Sequence, residues 1–251
     1  MAQDFYDKVA KKFGNYSTPV KISREYTNGN PEDVFKEKLI EVSGKGKVAV
    51  DVGCADGRFT ISISPYFSKV TAIDTSKGML ESAEKLQKKS NIINVSFLLK
   101  NLHNNDFGDE SFDVIYSRRG PTDYPEFFRL LKENGYYIEI GIGEKDTQRI
   151  KEVFGRGQNY GDWHNSFLKK NIQEIEKAGL KIIFEKDYLY SEYYKSEKDL
   201  DIFLQGVPIF EDYDSRKDKN LLKKYVLENT TPKGIVLPRH RIVIVAKKIN
   251  D

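Results

Sequence analysis

Two acids, Asp51 and Asp74, each close a short β-rich apolar run, VAVDVG and KVTAID. Between them Gly53, Cys54, Ala55 and Gly57 make a turn of small residues that leads into a helical segment, RFT. A strand feeding a helix through such a turn lets a ligand approach the backbone at the carboxyl end of a sheet. An acid about 20 residues further on, at the end of the next strand, can accept both hydroxyls of a ribose. Asp74 is the expected ribose anchor, and the chemistry expected of the pair is the binding of a nucleoside-like ligand.

The details narrow that ligand. Dinucleotide folds use GxGxxG with a pyrophosphate on the helix N-terminus, whereas Arg58 stands here where the last glycine would fall, and the sequence holds no Walker motif. S-adenosylmethionine carries a ribose and an adenine but no phosphate, and its amino group is a cation that Asp51 suits.

The elements around these residues must hold them at one edge. The runs KVAVDVG, KVTAID, NVSFLL, FDVIYS and YYIEIGI alternate with helix-compatible stretches such as SKGMLESAEKLQKKS and DYPEFFRLLKEN, the rhythm of a parallel sheet with helices on both faces. Before them PEDVFKEKLIEVS reads as a helix capped by Asn30, with Pro31 at its first position and Gly44 after its end. Later come EKDTQRIKEVF and SFLKKNIQEIEKAGL as helices, then strands KIIFEKDYLYSEYY and HRIVIVAKKI. The fold expected is α/β, a doubly wound, mostly parallel seven-stranded sheet, with an N-terminal helical segment and a helical insertion before the last strand. One domain spans residues 1–251: an N-terminal lid segment 1–43, a donor-binding half 44–143, and a C-terminal half 144–251 with the insertion at 195–237. The insertion reads as two short helices, DLDIFLQG and RKDKNLLKKYVLEN, long enough to cover a site or to shield a sheet edge.

On these residues the sequence resembles the class I S-adenosylmethionine-dependent methyltransferase family. The landmarks stand in register: DVGCADG for the acid and glycine turn, AIDTSKGML for the ribose acid, LLKNLHNNDFGDESFD for the adenine loop, and DVIYS for the fourth strand. Ala55 takes the place of the middle glycine and adds one methyl group. The resemblance implies S-adenosyl-L-methionine as cofactor, with Asp51, Gly53, Cys54, Ala55 and Gly57 around its methionine part, Asp74 and Thr75 at the ribose, and Met79 near the adenine. It also implies Asn101 and the Leu102 amide at the adenine edge, with Ser117 at the end of the fourth strand. For Met79 a core role stands beside that contact.

Methyl transfer is an in-line displacement at a sulfonium, so the donor half does not name the acceptor. Arg118 and Arg119 follow the fourth strand, where one guanidinium would suit an anionic acceptor; the other readings leave it solvated at the surface, pair it with an acid such as Asp123 or Glu144, or set it on the donor's carboxylate. His164 shares a glycine-rich aromatic loop with Tyr160, Asp162 and Trp163 and is the base expected, set against a helix start that Asn165 caps; His103 and His240 have plain structural explanations. Tyr160 and Tyr193 are expected acceptor contacts, although any of the 15 tyrosines can equally be a core or sheet-face residue. No Asp-Asn pair of oxygen ligands follows the fourth and fifth strands, so no metal is expected. The single cysteine, Cys54, lies in the donor loop, which excludes cysteine-dependent pyrimidine methylation and an intramolecular disulfide. A net charge of +3 is too balanced to indicate nucleic acid. A cytoplasmic protein without membrane association, methylating a small molecule, is the function expected; an RNA methyltransferase and a donor-binding regulator without catalysis are the alternatives.

Overall fold

The computed structural model describes residues 2–14, 16 and 19–249. Its centre is a sheet in which five parallel strands run in the spatial order β4 (Val95–Leu99), β3 (Phe67–Asp74), β2 (Gly44–Val52), β5 (Phe112–Arg118) and β6 (Leu131–Ile142). Beyond β6 lies β9 (Gly234–Lys248), antiparallel to β6 and to β7 (Leu180–Tyr194) on its other side. These seven are the expected strands. Two more were not expected: β1 (Ile22–Tyr26) pairs antiparallel with β7, and the two-residue β8 (Thr230–Thr231) folds back on β9.

Alternation along the strands explains the layers. In β2, Ala49 packs on one face with Phe35 and Leu39 of α2 (Pro31–Val42), Ile63 of α3 (Arg58–Ile63) and Leu80 of α4 (Lys77–Ser90). Val50 and Val52 pack on the other with Tyr124, Phe127 and Leu130 of α5 (Tyr124–Leu130) and Ile175 of α7 (Phe167–Lys177). Complete burial of Phe35 and Leu39 contributes roughly 1.5–3 kcal/mol each. The start of α2 follows its sequence: the Asn30 side chain accepts from the Glu32 amide and Pro31 takes the first turn. Helix α5 ends sooner than DYPEFFRLLKEN suggests, because Leu131 already opens β6.

The sheet does not end evenly. Pairing of β6 with β9 stops at Ile142 opposite Arg241, while β7 and β9 stay paired as far as Tyr194 opposite Ile235. The two long strands therefore overhang the carboxyl edge as an arm, with β1 on its outer side. The last strand begins at Gly234, before the expected boundary of 237 for the insertion. Pro238 belongs to that strand because β9 has no β6 neighbour there, so the missing N–H breaks no ladder with β6. The insertion itself holds α8 (Glu197–Gln205) and α9 (Lys219–Asn229). They pack with α6 (Gln148–Phe154) and the arm around Leu200, Leu204, Phe210, Leu222 and Tyr225. At the opposite side α1 (Ala2–Phe13) lies on α4, with Val9 and Ala10 against Met79.

Candidate functional site

A cavity of about 1450 Å³ opens along the carboxyl edge of the sheet, walled by the turn after β2, the end of β3, the loop after β5, the arm, the N-terminal segment and the insertion. It exceeds the roughly 300–1,000 Å³ of a typical small-molecule pocket, enough for two ligands side by side.

At one end lie Asp51, Gly53, Cys54, Ala55, Asp74, Thr75, Met79, Asn101 and Leu102. Asp51 is buried and accepts a 2.6 Å hydrogen bond from the Thr60 hydroxyl; burial pushes its carboxyl up to about 7. Asp74 accepts the Ala55 amide on one oxygen and the Ser76 amide on the other, each at 2.8 Å, which fixes both oxygens and leaves each a lone pair for a hydroxyl. Burial raises its pKa against the pull of those amides. Gly53 has a φ of +78°, and a Cβ there would come within 3.0 Å of Gly120 and 3.2 Å of Pro121, so its smallness admits the loop after β5. Asn101 is exposed, and its side-chain oxygen already accepts the His103 amide at 3.0 Å, which fixes the loop and occupies one lone pair. Met79 is both core residue and cavity wall.

Two residues of the expected donor set stand behind the wall. Gly57 does not line the cavity; a Cβ there would lie 2.6 Å from the Phe97 ring and 2.8 Å from Ala83, so this glycine serves helix–sheet packing, not ligand approach. Ser117 is buried and faces the Val52 carbonyl at 3.4 Å.

The N-terminal segment reaches the same end. Asp7 accepts from the Ser76 hydroxyl, the Tyr16 amide donates to Asp56 at 2.9 Å, and Tyr6 and Tyr16 meet edge to face on the cavity wall. Both Arg118 and Arg119 line the cavity, and both pair with Glu32 at the start of α2 rather than with Asp123 or Glu144. Burial opposes ionisation of Glu32, yet the two guanidiniums hold its carboxyl well below the usual range.

The opposite end, beneath the arm, is heavily charged. Arg24, Tyr190, Glu192, Arg239 and Arg241 project from the same face of β1, β7 and β9, and Asp146 and Lys151 join them from the segment after β6. Arg239 donates to Asp146 at 2.9 Å and to Glu192, Arg24 donates to Glu192 at 2.9 Å, and Arg241 pairs with Asp146 at 2.6 Å. Burial opposes ionisation of Asp146, but Arg239 and Arg241 hold it well below the usual carboxylate range. Lys151, pushed down by burial to about 8, donates to the Asp146 carbonyl at 2.9 Å. This cluster was missed from sequence, although two arginines at alternate positions in PRHRIVIV, leading into an apolar strand, were the available signal.

His164, Tyr160 and Tyr193 are not brought to the cavity. His164 is exposed in a turn, and Tyr160 is exposed with its ring edge-on to Trp163, which in turn lies under the Lys151 ammonium. That loop sends Gln158 to the cavity instead. Tyr193 points away from Tyr190, Glu192 and Tyr194 by strand alternation, and its hydroxyl donates to Glu25 at 2.8 Å. His103 lines the donor end beside Asp123, at 2.9 Å, and His240 is buried on the other face of β9, against Gly143.

The glycine turn, the doubly anchored ribose acid and a buried carboxylate suited to a cation fit the methionine and ribose parts of S-adenosylmethionine. Residues 49–135 match the family model described as a methyltransferase domain. A protein of Dictyostelium discoideum is 30% identical over 147 residues, covering 54% of this chain and 51% of its own. The demethylmenaquinone methyltransferase of Geobacillus sp. (strain WCH70) is 28% identical over 139 residues, 54% of this chain and 57% of the relative. The chain thus spans between half and two thirds of the length of these relatives. In structure, the YcgJ protein of Bacillus subtilis superposes with a TM-score of 0.63 at 16% identity, over 87% of this chain and all of that one. The [4+2]-cyclase SpnF superposes with a TM-score of 0.62 at 14% identity, over 100% of this chain and 96% of that one. The matched donor half is a methyltransferase domain, and set in this architecture it supports a class I S-adenosylmethionine-dependent methyltransferase family for the chain.

Proposed function

We propose that the protein transfers a methyl group from S-adenosyl-L-methionine to a small molecule held in the roofed cavity. The observation that carries this reading is the continuity of one cavity from the Asp51 and Asp74 end to the charged end beneath the arm. When bound, S-adenosylmethionine supplies the methyl group from its sulfonium. Asp74, with both oxygens fixed by amides, orients the ribose; Asp51 faces the amino group; Gly53, Cys54 and Ala55 let the donor lie against the backbone. Tyr6 and Tyr16 from one side and Phe203, Val207 and Ile209 from the other exclude water and leave the acceptor a confined position. The likeness to a demethylmenaquinone methyltransferase supports an acceptor of small-molecule size.

SpnF, a cyclase on the same fold, favours keeping a second reading in which the donor is bound without methyl transfer. Calorimetry with S-adenosylhomocysteine tests donor binding. Asp74→Ala removes two charge-assisted hydrogen bonds, roughly 1.5–3 kcal/mol each, so affinity should fall tenfold or more. Unchanged affinity in a folded Asp74→Ala protein would remove the ribose assignment. Methyl-labelled donor offered with a metabolite extract and, separately, with total RNA then tests transfer. Label in the small-molecule fraction supports the proposal, label in RNA replaces its acceptor class, and donor binding without any transfer favours the second reading.

A further inference from the structure

The charged end of the cavity is unbalanced. Among the described residues Arg24, Lys151, Arg239 and Arg241 face only Asp146 and Glu192 there, and Lys151, Arg239 and Arg241 are each more than nine-tenths buried. Buried charges persist where they are paired, and buried donors where they are bonded. Arg239 meets this condition, with both carboxylates around it. Arg241 and Lys151 do not. Arg241 spends its Nη1 on Asp146 and the His240 carbonyl and buries its Nε, while its Nη2, without a partner among the described residues, is the donor left to the cavity. Lys151 makes one hydrogen bond among the described residues, to the Asp146 carbonyl, and otherwise rests over the Trp163 ring, which leaves it hydrogen-bonding capacity to spare. Both sit on Asp146, one on its carboxylate and one on its carbonyl, so their spare donors belong to one corner of the cavity.

The wall next to that corner is apolar. Tyr26 and Tyr190 lie with ring centroids 5.1 Å apart, and Phe203, Val207 and Ile209 come down from the insertion. Strand β9, which carries Arg241, is three strands from β2, which carries the donor turn, a lateral separation of about 14 Å at ordinary strand spacing. A ligand reaching from the donor turn to the spare cations must be elongated and must cross apolar surface.

We propose that the acceptor is an amphiphilic acid: an apolar body against the Tyr26, Tyr190 and Phe203 wall, ending in a phosphate or carboxylate seated on Arg241 and Lys151. This rests on the reading of the cavity as a methyl-transfer site, since it names the acceptor of that site. Arg239, Glu192 and Arg24 are positioning residues that hold the arm and orient the corner. The surplus of positive charge favours the dianion of a phosphate monoester, and Arg241 and Lys151 each offer either group a charge-assisted hydrogen bond.

The test is calorimetry on the full chain, alone and saturated with S-adenosylhomocysteine, with n-decyl phosphate, decanoate and n-decanol as probes below the concentrations at which they form micelles. At least one anion should bind tenfold or more tightly than decanol, and whichever anion binds more tightly identifies the headgroup. Lys151→Met and Arg241→Met should each weaken that anion tenfold or more, with S-adenosylhomocysteine and decanol affinities kept, and Arg241→Lys should restore part of the loss. If Arg241→Met fails to fold, Lys151→Met and the wild-type comparison with decanol still decide. Decanol binding as well as both anions, neither anion binding at all, or methionine variants binding the anions like wild type would overturn the proposal. Loss of S-adenosylhomocysteine binding with the anion preference intact would instead remove the methyl-transfer reading and leave the anion corner standing.

Discussion

Asp51 and Asp74 occupy equivalent places at the ends of neighbouring strands, yet their surroundings give them different work. Asp74 is held by two amides and is set to accept hydroxyls, whereas Asp51 is almost wholly buried at the cavity wall with one hydroxyl donor, and burial pushes it up to about 7 from 3.8. The folded protein without donor thus keeps a proton on Asp51 that the unfolded chain has released. Its stability should fall as pH rises from about 4 to 7, by at most about 4 kcal/mol. Urea melts at pH 5 and pH 8 should show a shallower difference in Asp51→Asn than in wild type. The ammonium of the donor reverses the preference by favouring the ionised carboxylate, so S-adenosylhomocysteine affinity should rise with pH up to about 7 and then level, and Asp51→Asn should lose that rise. The same slope in wild type and variant would assign the titration to another group. Arg118 and Arg119 show how far residue-level reading went: the sequence located them at the cavity, but their partner, Glu32, comes from a helix 86 and 87 positions earlier, beyond the reach of local pattern.

Among the elements, what depended on local periodicity was legible. The seven principal strands and the helices after Asn30 follow from alternation, caps and turn residues. The arm did not follow, because overhang is a relation between the ends of three strands and no single strand records it. Strand β1 was missed for a related reason: ISREY alternates weakly, and its pairing with β7 spans 168 positions between Arg24 and Glu192. Gly57 makes the same point within a motif. The sequence placed it beside the ligand, whereas its φ of +69° and the nearness of Phe97 and Ala83 tie it to the seat of α4 on the sheet. Gly57→Ala should therefore cost about 2–4 kcal/mol from backbone strain and overpacking, a fall in melting temperature of about 5–15 °C. S-adenosylhomocysteine should bind the folded fraction almost as it binds wild type. A stable variant with weakened binding would return Gly57 to the cavity wall.

For the molecule as a whole, the cavity is roofed from two directions that are distant in sequence. Helix α1 is tied down by Asp7 on Ser76, the insertion is packed on α6 and the arm, and a hydrogen bond from Lys12 to Gln205 joins the two covers. Both are helical pieces outside the sheet, and Tyr6 of one and Phe203 of the other line the cavity. Amide hydrogen exchange should slow in residues 2–14 and 195–233 when S-adenosylhomocysteine and an acceptor or decyl phosphate bind together. Protection confined to the sheet edge would make these segments fixed walls instead of a closing cover. No helix among the described residues is long and apolar enough to cross a membrane.

Strand β1 covers a stretch of sheet edge on which a second copy of the chain could otherwise pair. Strand β7 is 15 residues long and bears β9 on one side; along Ile22–Tyr26 the only cover on its other side, among the described residues, is a short strand carrying Arg24 and Glu25. A long strand with a bare edge is a template for intermolecular pairing, and a short, charged edge strand is a common defence. Removing residues 1–30 would uncover the backbone of Tyr190 to Tyr194 as well as open the site. Light scattering of that truncated chain should report self-association at concentrations where the full chain stays dispersed, and a charged substitution at Ser191 or Tyr193 should reduce it.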